Sequence, residues 1–419
     1  MSKPMKVILF DSWTKGHIHI IRLLDALKEQ NIEIHIVHIG SWGDEVGRPE
    51  KEIIAGINVH DISAYRNLEA VLHVEKPDLV LFLSLDPLLH RAFNRYCIAN
   101  KVPTVNLYHG VHSVLESLSA EKKNIHDYWM WAISRMKRTI KYIFPTYIIS
   151  LIKTKADLKD WLTFFSEIGN KIIGVGVSKA SNDAVTNYIC VFNDYDIKHA
   201  RKKYSAPLNK IVAVGYPDIL KFNGLEESIF KFIEQDSTSE QYAVYIGTGV
   251  RGTKMMLTDS KEYYQHLVQT NNLIKKMNKK LVCKLHYSRL NEIKDYAQQD
   301  GSDIIFCGDD EFIDTLKKSC GSIIEPSTAG LVPILMGKPV FLAQYGKLSG
   351  LLYGPALSSY PKSSSLSSWN DFSLIGEATF NNLLQNETEE WIKSISGPLP
   401  ASDMPNRVVE VINRAINAR

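Results

Sequence analysis

Short blocks of apolar residues alternate with polar loops along this chain, and each block has the spacing of a strand or of a helix. Residues 7–10 are apolar, a polar loop follows at 12–16, and from Ile18 onward apolar side chains recur at helical intervals. Further strands are predicted at 32–39, 59–62, 79–83 and 104–108, and a helix at 87–100. Strands that alternate with helices indicate a mostly parallel sheet with helices on both faces.

The same pattern begins again in the second half of the chain. Its predicted strands are 243–246, 281–285, 304–306, 323–324 and 340–342, and its predicted helices are 262–277 and 330–336. A polar stretch at 235–241 separates the two halves. We therefore expect an α/β protein with two doubly wound, Rossmann-like domains facing a cleft, the first at residues 1–235 and the second at residues 241–419.

One insertion, residues 122–165, departs from this pattern. Residues 128–155 contain six basic and six aromatic residues but no acidic residue, and the longest uncharged run, 142–152, is eleven residues long. Eleven residues are too few to span a bilayer, which needs about 20. The composition instead predicts binding to an anionic membrane surface. The alternative is a helical insertion that packs its apolar face on the first domain and leaves its lysines in water.

Composition narrows the class of protein. The 419 residues are 45% hydrophobic and 23% charged, which excludes a disordered chain, and a net charge of +3 does not indicate a nucleic-acid partner. The five cysteines include no C-x-x-C pair, so we expect buried free thiols rather than disulfides or zinc ligands. The first residues do not resemble a secretory leader, and a cytoplasmic protein is expected.

Two histidines follow predicted strands of the first domain. Gly16-His17 comes after the first strand, and His109 comes directly after the strand at 104–108, with Gly110 beside it. Ligands of open α/β sheets bind at the carboxyl ends of the strands, and a histidine there can take a proton from a hydroxyl near neutral pH. The first loop lacks the G-x-G-x-x-G spacing of a dinucleotide site. For His17 the alternative is a loop histidine that caps a helix.

Strand ends of the second domain carry residues suited to phosphate. Gly247, Thr248 and Gly249 follow one strand and lead to Arg251, so backbone N–H groups, a hydroxyl and a cation are available to an anion. A glycine-rich turn without a ligand is the alternative. His286 ends the next predicted strand. The residues Ser327, Thr328 and Gly330 precede a short predicted helix, whose N-terminus would also favour an anion.

These strand ends resemble motifs of the GT-B superfamily of nucleotide-sugar transferases, especially enzymes of bacterial surface polysaccharides. The CDP-glycerol glycerophosphotransferases and the capsule sialyl- and Kdo-transferases belong to this group. Tyr108-His109-Gly110 resembles the "WHG" motif of the glycerophosphotransferases, and the segment from Tyr245 to Arg251 resembles their "Y-x-P-T-x-R". Lys284-Leu285-His286 is similar to their "K-x-H-P", without the proline. Val214-Gly215-Tyr216-Pro217-Asp218 resembles the family's turn after the first domain.

The resemblance implies a glycosyltransferase that transfers a sugar from a CMP-, UDP- or CDP-linked donor to a glycan or lipid-linked acceptor, as in capsule, lipopolysaccharide or teichoic-acid synthesis. His109, or His17 in its place, would be the general base, if the reaction inverts the sugar's configuration. His286, Ser327 and Thr328 would bind the donor phosphate, and Arg251 would stabilise the leaving group. No cofactor and no metal is expected, because the sequence has no D-x-D motif at a suitable position. The alternatives are a UDP-sugar 2-epimerase, a polyol-phosphate transferase using CDP-glycerol, and a non-catalytic module that keeps the fold.

Overall fold

The computed structural model describes residues 3–11, 16–42, 49–108, 138–172, 182–230, 242–248, 259–349, 351–376 and 385–418. Within these ranges the strands fall into two sheets, one in each half of the chain. The sheets are nearly all parallel and are covered by helices, so the predicted α/β architecture of two Rossmann-like domains is confirmed.

The first sheet has the order β3-β4-β2-β1-β5-β6-β7-β8, and only β3 runs antiparallel to its neighbour. Its strands are β1 (Met5–Asp11), β2 (Ile32–His38), β3 (Lys51–Ile54), β4 (Ile57–Asp61), β5 (Leu79–Phe82), β6 (Thr104–Leu107), β7 (Tyr188–Val191) and β8 (Ile211–Ala213). Its helices are α1 (His17–Ile20), α2 (Leu24–Glu29), α3 (Leu68–Glu75), α4 (Leu88–Ala99), α5 (Phe144–Lys153), α6 (Leu158–Ile172) and α7 (Asp194–Tyr204).

The central strands form because both of their faces can be buried. In β1 the residues Val7, Ile8, Leu9 and Phe10 are fully buried, and β5 is buried along its whole length. Strands covered on both faces are continuous apolar runs rather than alternating ones. The predicted strands at 7–10, 32–39, 59–62, 79–83 and 104–108 are confirmed to within one or two residues.

A connecting segment leads from the first sheet to the second. It contains a turn at Pro217–Lys221 and the short helix α8 (Leu225–Ser228). Gly215 has a φ of +109°, and a Cβ there would meet the Arg407 guanidinium at 3.0 Å and the Pro398 carbonyl oxygen at 3.2 Å. Glycine is therefore required in the Val214–Asp218 turn.

The second sheet is parallel throughout, with the order β11-β10-β9-β12-β13-β14. Its strands are β9 (Tyr242–Ile246), β10 (Lys280–Lys284), β11 (Ile305–Phe306), β12 (Ser319–Ile324), β13 (Val340–Ala343) and β14 (Ser363–Leu366). The helices are α9 (Ser260–Lys276), α10 (Tyr287–Gln299), α11 (Phe312–Lys317), α12 (Leu331–Leu335), α13 (Pro355–Ser358), α14 (Ser373–Gly376), α15 (Gln385–Ser396) and α16 (Met404–Asn417).

The last helix, α16, returns to the first sheet. Its buried residues, among them Val408, Val411 and Ile412, share a core with Val7 and Leu9 of β1. The Arg407 Nε atom donates to the Val214 carbonyl oxygen at 2.7 Å and so fixes the connecting segment as well. The predicted domain boundary at 235–241 lies outside the described residues and remains a proposal. Although α16 comes from the second half of the chain, it packs on the first sheet.

The helical hairpin α5–α6 begins within the predicted insertion 122–165, extends beyond it to Ile172, and contacts α4. All five cysteines are free and buried, as predicted. Among the helices that the structure describes, none is long and apolar enough to cross a membrane.

Candidate active site

Three adjacent strands of the second sheet end side by side and place the candidate residues of this domain together. The Gly247 N–H after β9 donates to the Lys284 carbonyl oxygen at the end of β10, at 3.0 Å. The Glu325 N–H after β12 donates to the Ile246 carbonyl oxygen, also at 3.0 Å. Because β9 lies between β10 and β12, the loops after all three strands leave the sheet at one edge.

Glu325 is the centre of a buried hydrogen-bond network at this edge. Its side chain accepts from the Tyr245 hydroxyl at 2.7 Å, from the Tyr263 hydroxyl at 2.6 Å and from the Thr248 backbone N–H at 3.0 Å. Glu325 is only 2% exposed, and burial raises the pKa of its carboxyl although the three hydrogen bonds oppose the change. The carboxylate is therefore occupied in holding the loop after β9 rather than directed into the cleft.

Gly247 and Arg289 complete the packing around this network. A Cβ at Gly247 would collide with the Tyr263 hydroxyl and lie 2.9 Å from Leu285 Cδ2, so only glycine allows Tyr263 to reach Glu325. The Arg289 guanidinium lies over the Tyr263 ring, 4.7 Å from its centroid. Arg289 is buried and attracts the Glu325 carboxylate, which lowers the pKa of Glu325 against the effect of burial.

His286 lies at the solvent side of the same edge, among cations. Its side chain is exposed, and burial lowers the pKa of its imidazole, with Lys221, Lys284 and Arg289 lowering it further. Asp309 offsets part of this positive charge, because its carboxylate pairs with Lys284 at 2.5 Å and with Lys221 at 3.3 Å. Burial raises the pKa of Asp309, but the hydrogen bonds and positive charges of Lys284 and Lys221 together outweigh burial, and the pKa is lowered.

The segment after β12 is a tight turn rather than the start of a long helix. The Ser327 hydroxyl accepts from the Ala329 N–H at 3.3 Å and so caps a 3₁₀ turn over Thr328–Gly330. The helix α12 that follows has five residues, so it has little dipole to offer an anion. Gly330 is buried against the side chain of Ile324. Ser327 and Thr328 are half-buried beside Glu325.

Residues of the first sheet and of the connecting segment meet this turn across the cleft. The Tyr216 hydroxyl lies 3.3 Å from the Thr328 carbonyl oxygen and 3.2 Å from Asp218 Oδ2, and can donate to either. Arg22 belongs to the part of the chain that forms the first sheet. Burial lowers the pKa of its guanidinium, and the nearby Asp218 and Tyr216 act in the opposite sense. Arg22 also donates to His19, through Nε to the carbonyl oxygen at 3.3 Å.

The predicted catalytic residues are only partly within the described structure. His17 is half-buried and begins α1, six residues after the end of β1. Gly16 precedes it against the side chains of Asp11 and Leu9. His109, Gly249 and Arg251 lie outside the described residues, although Tyr108, directly before His109, is buried at the end of β6. Their roles stay predictions.

Several residues of the site have no signal strong enough to be found in the sequence. Glu325 is the exception, since a carboxylate directly after a fully apolar strand end indicates a buried partner. The others come from segments far apart in the chain: Arg22, Asp218, Lys221, Tyr263, Arg289 and Asp309.

The arrangement is suited to an anion. Lys221 and Lys284 lie near His286, and Arg22 lies near Asp218 and Tyr216, whose hydroxyl contacts the Thr328 carbonyl oxygen. Among the described residues, no group of three or more histidine, cysteine, aspartate or glutamate side chains is placed to hold a metal ion.

Comparison with known proteins supports the fold. No protein-family model and no curated protein matches the sequence. Among solved structures, the calicheamicin glycosyltransferase CalG4 is 12% identical, with a TM-score of 0.55 and a coverage of 99% of each chain. A variant of the wall teichoic acid polymerase TagF is 12% identical, with a TM-score of 0.51, over 100% of this chain and 90% of that chain.

A third similar structure is the UDP-GlcNAc 2-epimerase of Methanocaldococcus jannaschii in complex with UDP-GlcNAc and UDP. It is 13% identical, with a TM-score of 0.48, over 98% of this chain and 100% of that chain. At these identities the likeness to CalG4 and TagF concerns the fold. The chain has the GT-B arrangement of two Rossmann-like domains.

Proposed function

We propose that this protein is a GT-B glycosyltransferase that transfers a sugar from a nucleotide-activated donor to a growing bacterial surface polysaccharide. The observation that carries the proposal is the edge of the second sheet, where the loops after β9, β10 and β12 gather Thr248, His286 and Ser327 beside the cations Lys221 and Lys284. The likeness to CalG4 and TagF supports the fold that such an enzyme needs.

The donor phosphate is proposed to bind at this edge. As the bond between the sugar's anomeric carbon and the nucleotide oxygen breaks, negative charge develops on the leaving phosphate. Fixed cations around His286 would stabilise that charge without reorganising, a kind of contribution that is large in enzymes. Arg251 would add a further cation, and the reaction would proceed without a divalent metal ion.

The acceptor is proposed to bind on the side of the first sheet. His109 would take the proton from the attacking hydroxyl, with His17 as the competing candidate, provided that the reaction inverts configuration. The donor nucleotide would be CMP, UDP or CDP, and the acceptor a glycan or lipid-linked chain of capsule, lipopolysaccharide or teichoic-acid type. The enzyme would then work at the cytoplasmic face of the membrane, where lipid-linked acceptors are found.

Substitution of each histidine distinguishes the two candidates for the base. His109→Ala should lower kcat by about 10²–10⁴-fold with donor affinity preserved, because a general base acts on the chemical step and contributes that much. His73→Ala, at an exposed position on α3, is the matched control and should leave kcat unchanged. A loss of rate in His17→Ala but not in His109→Ala would transfer the role to His17.

The direct test of the function is to incubate the protein with UDP-, CMP- and CDP-linked sugars and to separate the products. A transferase releases the free nucleotide, and its release accelerates when an acceptor glycan is added. A 2-epimerase changes the configuration of UDP-GlcNAc at C2 and returns the intact nucleotide sugar. A parallel incubation with CDP-glycerol that releases CMP and places glycerol phosphate on the acceptor would indicate the polyol-phosphate transferase. No turnover of any donor would contradict the proposal and favour a non-catalytic module.

A further inference from the structure

The hairpin α5–α6 exposes apolar side chains to solvent while it buries two carboxylates. On α6, Asp160 and Glu167 face the protein, whereas Leu158, Leu162 and Phe165 face the solvent, with Leu158 74% exposed. A helix on the surface of a globular protein normally buries its apolar stripe and exposes its charges. An exposed apolar stripe of this kind indicates an interaction surface.

Buried ion pairs, together with the stacked Tyr147 and Phe164 rings, attach the hairpin to the first domain. Arg91 of α4 pairs with Glu167 of α6 at 2.6 Å, and Arg95 of α4 pairs with Asp160 at 2.8 Å. The hairpin's other helix joins the same anchor, because the Arg95 Nε atom donates to Thr154 Oγ1 at 3.1 Å. Both helices are thus fixed to α4 by buried polar contacts in addition to the apolar packing of Leu151 and Phe164.

In each helix the exposed apolar residues lie opposite the residues that contact α4. In α5 the buried residues are Tyr147, Ser150 and Leu151, and the exposed residues Ile149 and Ile152 stand about 200° around the helix from Tyr147 and Ser150. In α6, Leu162 and Phe165 stand in the same relation to Asp160 and Glu167. Ile140, in the turn before α5, is exposed as well. We call this surface the hairpin face, formed by Ile140, Ile149, Ile152, Leu158, Leu162 and Phe165.

Positive charge surrounds the hairpin face. Residues 138–159 contain five basic residues and one acidic residue, Asp157. Lys141, Lys155 and Lys159 are exposed. Lys153 is also exposed and pairs with Glu69 of α3, and Asp157 accepts from the Asp160 N–H at 2.8 Å to cap α6. Apolar side chains bordered by lysines match the boundary between the acyl chains and the headgroups of an anionic membrane.

We propose that the hairpin face is a docking surface for an anionic lipid bilayer. The apolar stripes enter the outer acyl region and the surrounding lysines contact the negative headgroups. This deepens the proposed function by stating which surface would meet a membrane-borne acceptor. It also lies partly outside the segment 128–155 predicted from the sequence, because Leu158, Leu162 and Phe165 follow that segment. A bilayer rather than a second copy is favoured by the charge, since two such basic faces would repel each other.

Vesicle co-sedimentation of the full chain, without donor, tests the proposal. Wild type should sediment with phosphatidylcholine vesicles that contain phosphatidylglycerol and not with phosphatidylcholine alone, and binding should weaken as salt shortens the Debye length from about 10 Å at 0.1 M. The triple variant Ile149→Gln/Leu162→Gln/Phe165→Gln should reduce binding to anionic vesicles about tenfold or more. These positions are exposed, so thermal unfolding should be unchanged.

Two further variants show which feature of the face is responsible. Ile53→Gln/Val74→Gln changes two exposed apolar residues elsewhere, 73% and 66% exposed, and should bind vesicles like wild type. Lys141→Gln/Lys155→Gln/Lys159→Gln should weaken binding and flatten its salt dependence.

Equal sedimentation of wild type and the triple variant, or none by either, would overturn the proposal. So would light scattering that finds a wild-type dimer and a monomeric triple variant without vesicle binding, since the face would then join two copies. Nucleotide release from a soluble donor is measured separately, so a failure of lipid binding is distinguishable from a failure of the transferase function.

Discussion

Each half of the molecule buries an arginine beside carboxylates, and the two clusters differ in what surrounds them. Arg91 is 1% exposed and donates to Glu167 at 2.6 Å and to Asp183 at 2.9 Å, with the Tyr147 hydroxyl 3.4 Å away. Arg289 lies against the Tyr263 ring, and the carboxylate near it, Glu325, accepts its hydrogen bonds from tyrosine hydroxyls and a backbone N–H.

The difference separates a structural cluster from a candidate binding site. The Arg91 cluster joins α4, α5, α6 and the turn at Asn182–Ala184, and its charges compensate one another inside the first domain. The Arg289 cluster lies directly beneath the exposed His286 and the ends of three strands. It holds the loops that border the cleft, and the lysines above it leave the edge positively charged. Buried ionic groups alone therefore do not identify a functional site; their position relative to the strand ends does.

The largest effect is expected from breaking the structural cluster. Arg91→Met should lower the free energy of unfolding by about 3–5 kcal/mol, because Glu167 would stay buried without its cation and Asp183 would keep the more distant Arg95, at 3.6 Å. Urea denaturation measures this change. Arg414→Met removes an exposed ion pair with Glu410 and should change the free energy of unfolding by less than about 0.5 kcal/mol. Similar small values for both variants would mean that Arg91 is not the anchor of the hairpin.

A smaller effect is expected at Glu325. Glu325→Gln should lower the free energy of unfolding by about 1–3 kcal/mol, because the amide cannot accept from three donors and leaves at least one of them unpaired. The size of this effect should depend on pH. Burial raises the pKa of Glu325 in the folded state above its unfolded value of about 4.3.

The sign of this pH dependence follows from proton linkage. Stability from a raised carboxyl pKa is fully present below the unfolded pKa and is lost as pH rises through the folded pKa. The difference between wild type and Glu325→Gln should therefore be larger near about pH 5 than near about pH 8 in urea denaturation. A difference that grows with pH would mean that the ionised form is the favoured one.

The smallest effect concerns His286 and the affinity for a nucleotide. Burial and neighbouring cations lower the pKa of the free imidazole. A bound phosphate would raise it, so binding would take up a proton between the two pKa values. The affinity should then increase by up to about tenfold per pH unit as pH falls through that window. His286→Gln keeps an N–H donor but cannot be charged, and should bind with no such pH dependence in calorimetric titrations. Parallel pH profiles for the two proteins would exclude His286 from the phosphate site.

The strands that the sequence predicts are those whose two faces are buried, because burial there requires a continuous apolar run. The structure adds β14, Ser363–Leu366, which contains three serines and forms at the sheet edge by pairing its backbone with β13. It also adds β3, β7 and β8, which have four, four and three residues. β14 has no apolar pattern, whereas β7 and β8 are apolar but too short for the pattern to predict them.

The hairpin α5–α6 shows why the buried face of a helix cannot be assigned from periodicity alone. The residues of α6 have apolar side chains on more than one side, and only Arg91 and Arg95, more than 60 positions earlier, determine which side is inside. The positions of His286 and Ser327 at strand ends are predictable from the apolar pattern. The pairing of Asp309 with Lys221 and Lys284 is not predictable, because it depends on how the loops fold over the sheet edge.

The central claim is that the strand ends of the second domain bind the nucleotide of a donor, and isothermal titration tests it most directly. UDP, CDP, CMP and GDP would be titrated separately into wild type, His286→Ala and the control His73→Ala. The account predicts saturable binding of at least one nucleotide by wild type and by His73→Ala, and a loss of affinity in His286→Ala of about tenfold or more, as for a charge-assisted contact. Binding of no nucleotide by wild type, or equal affinity in all three proteins, would contradict the account.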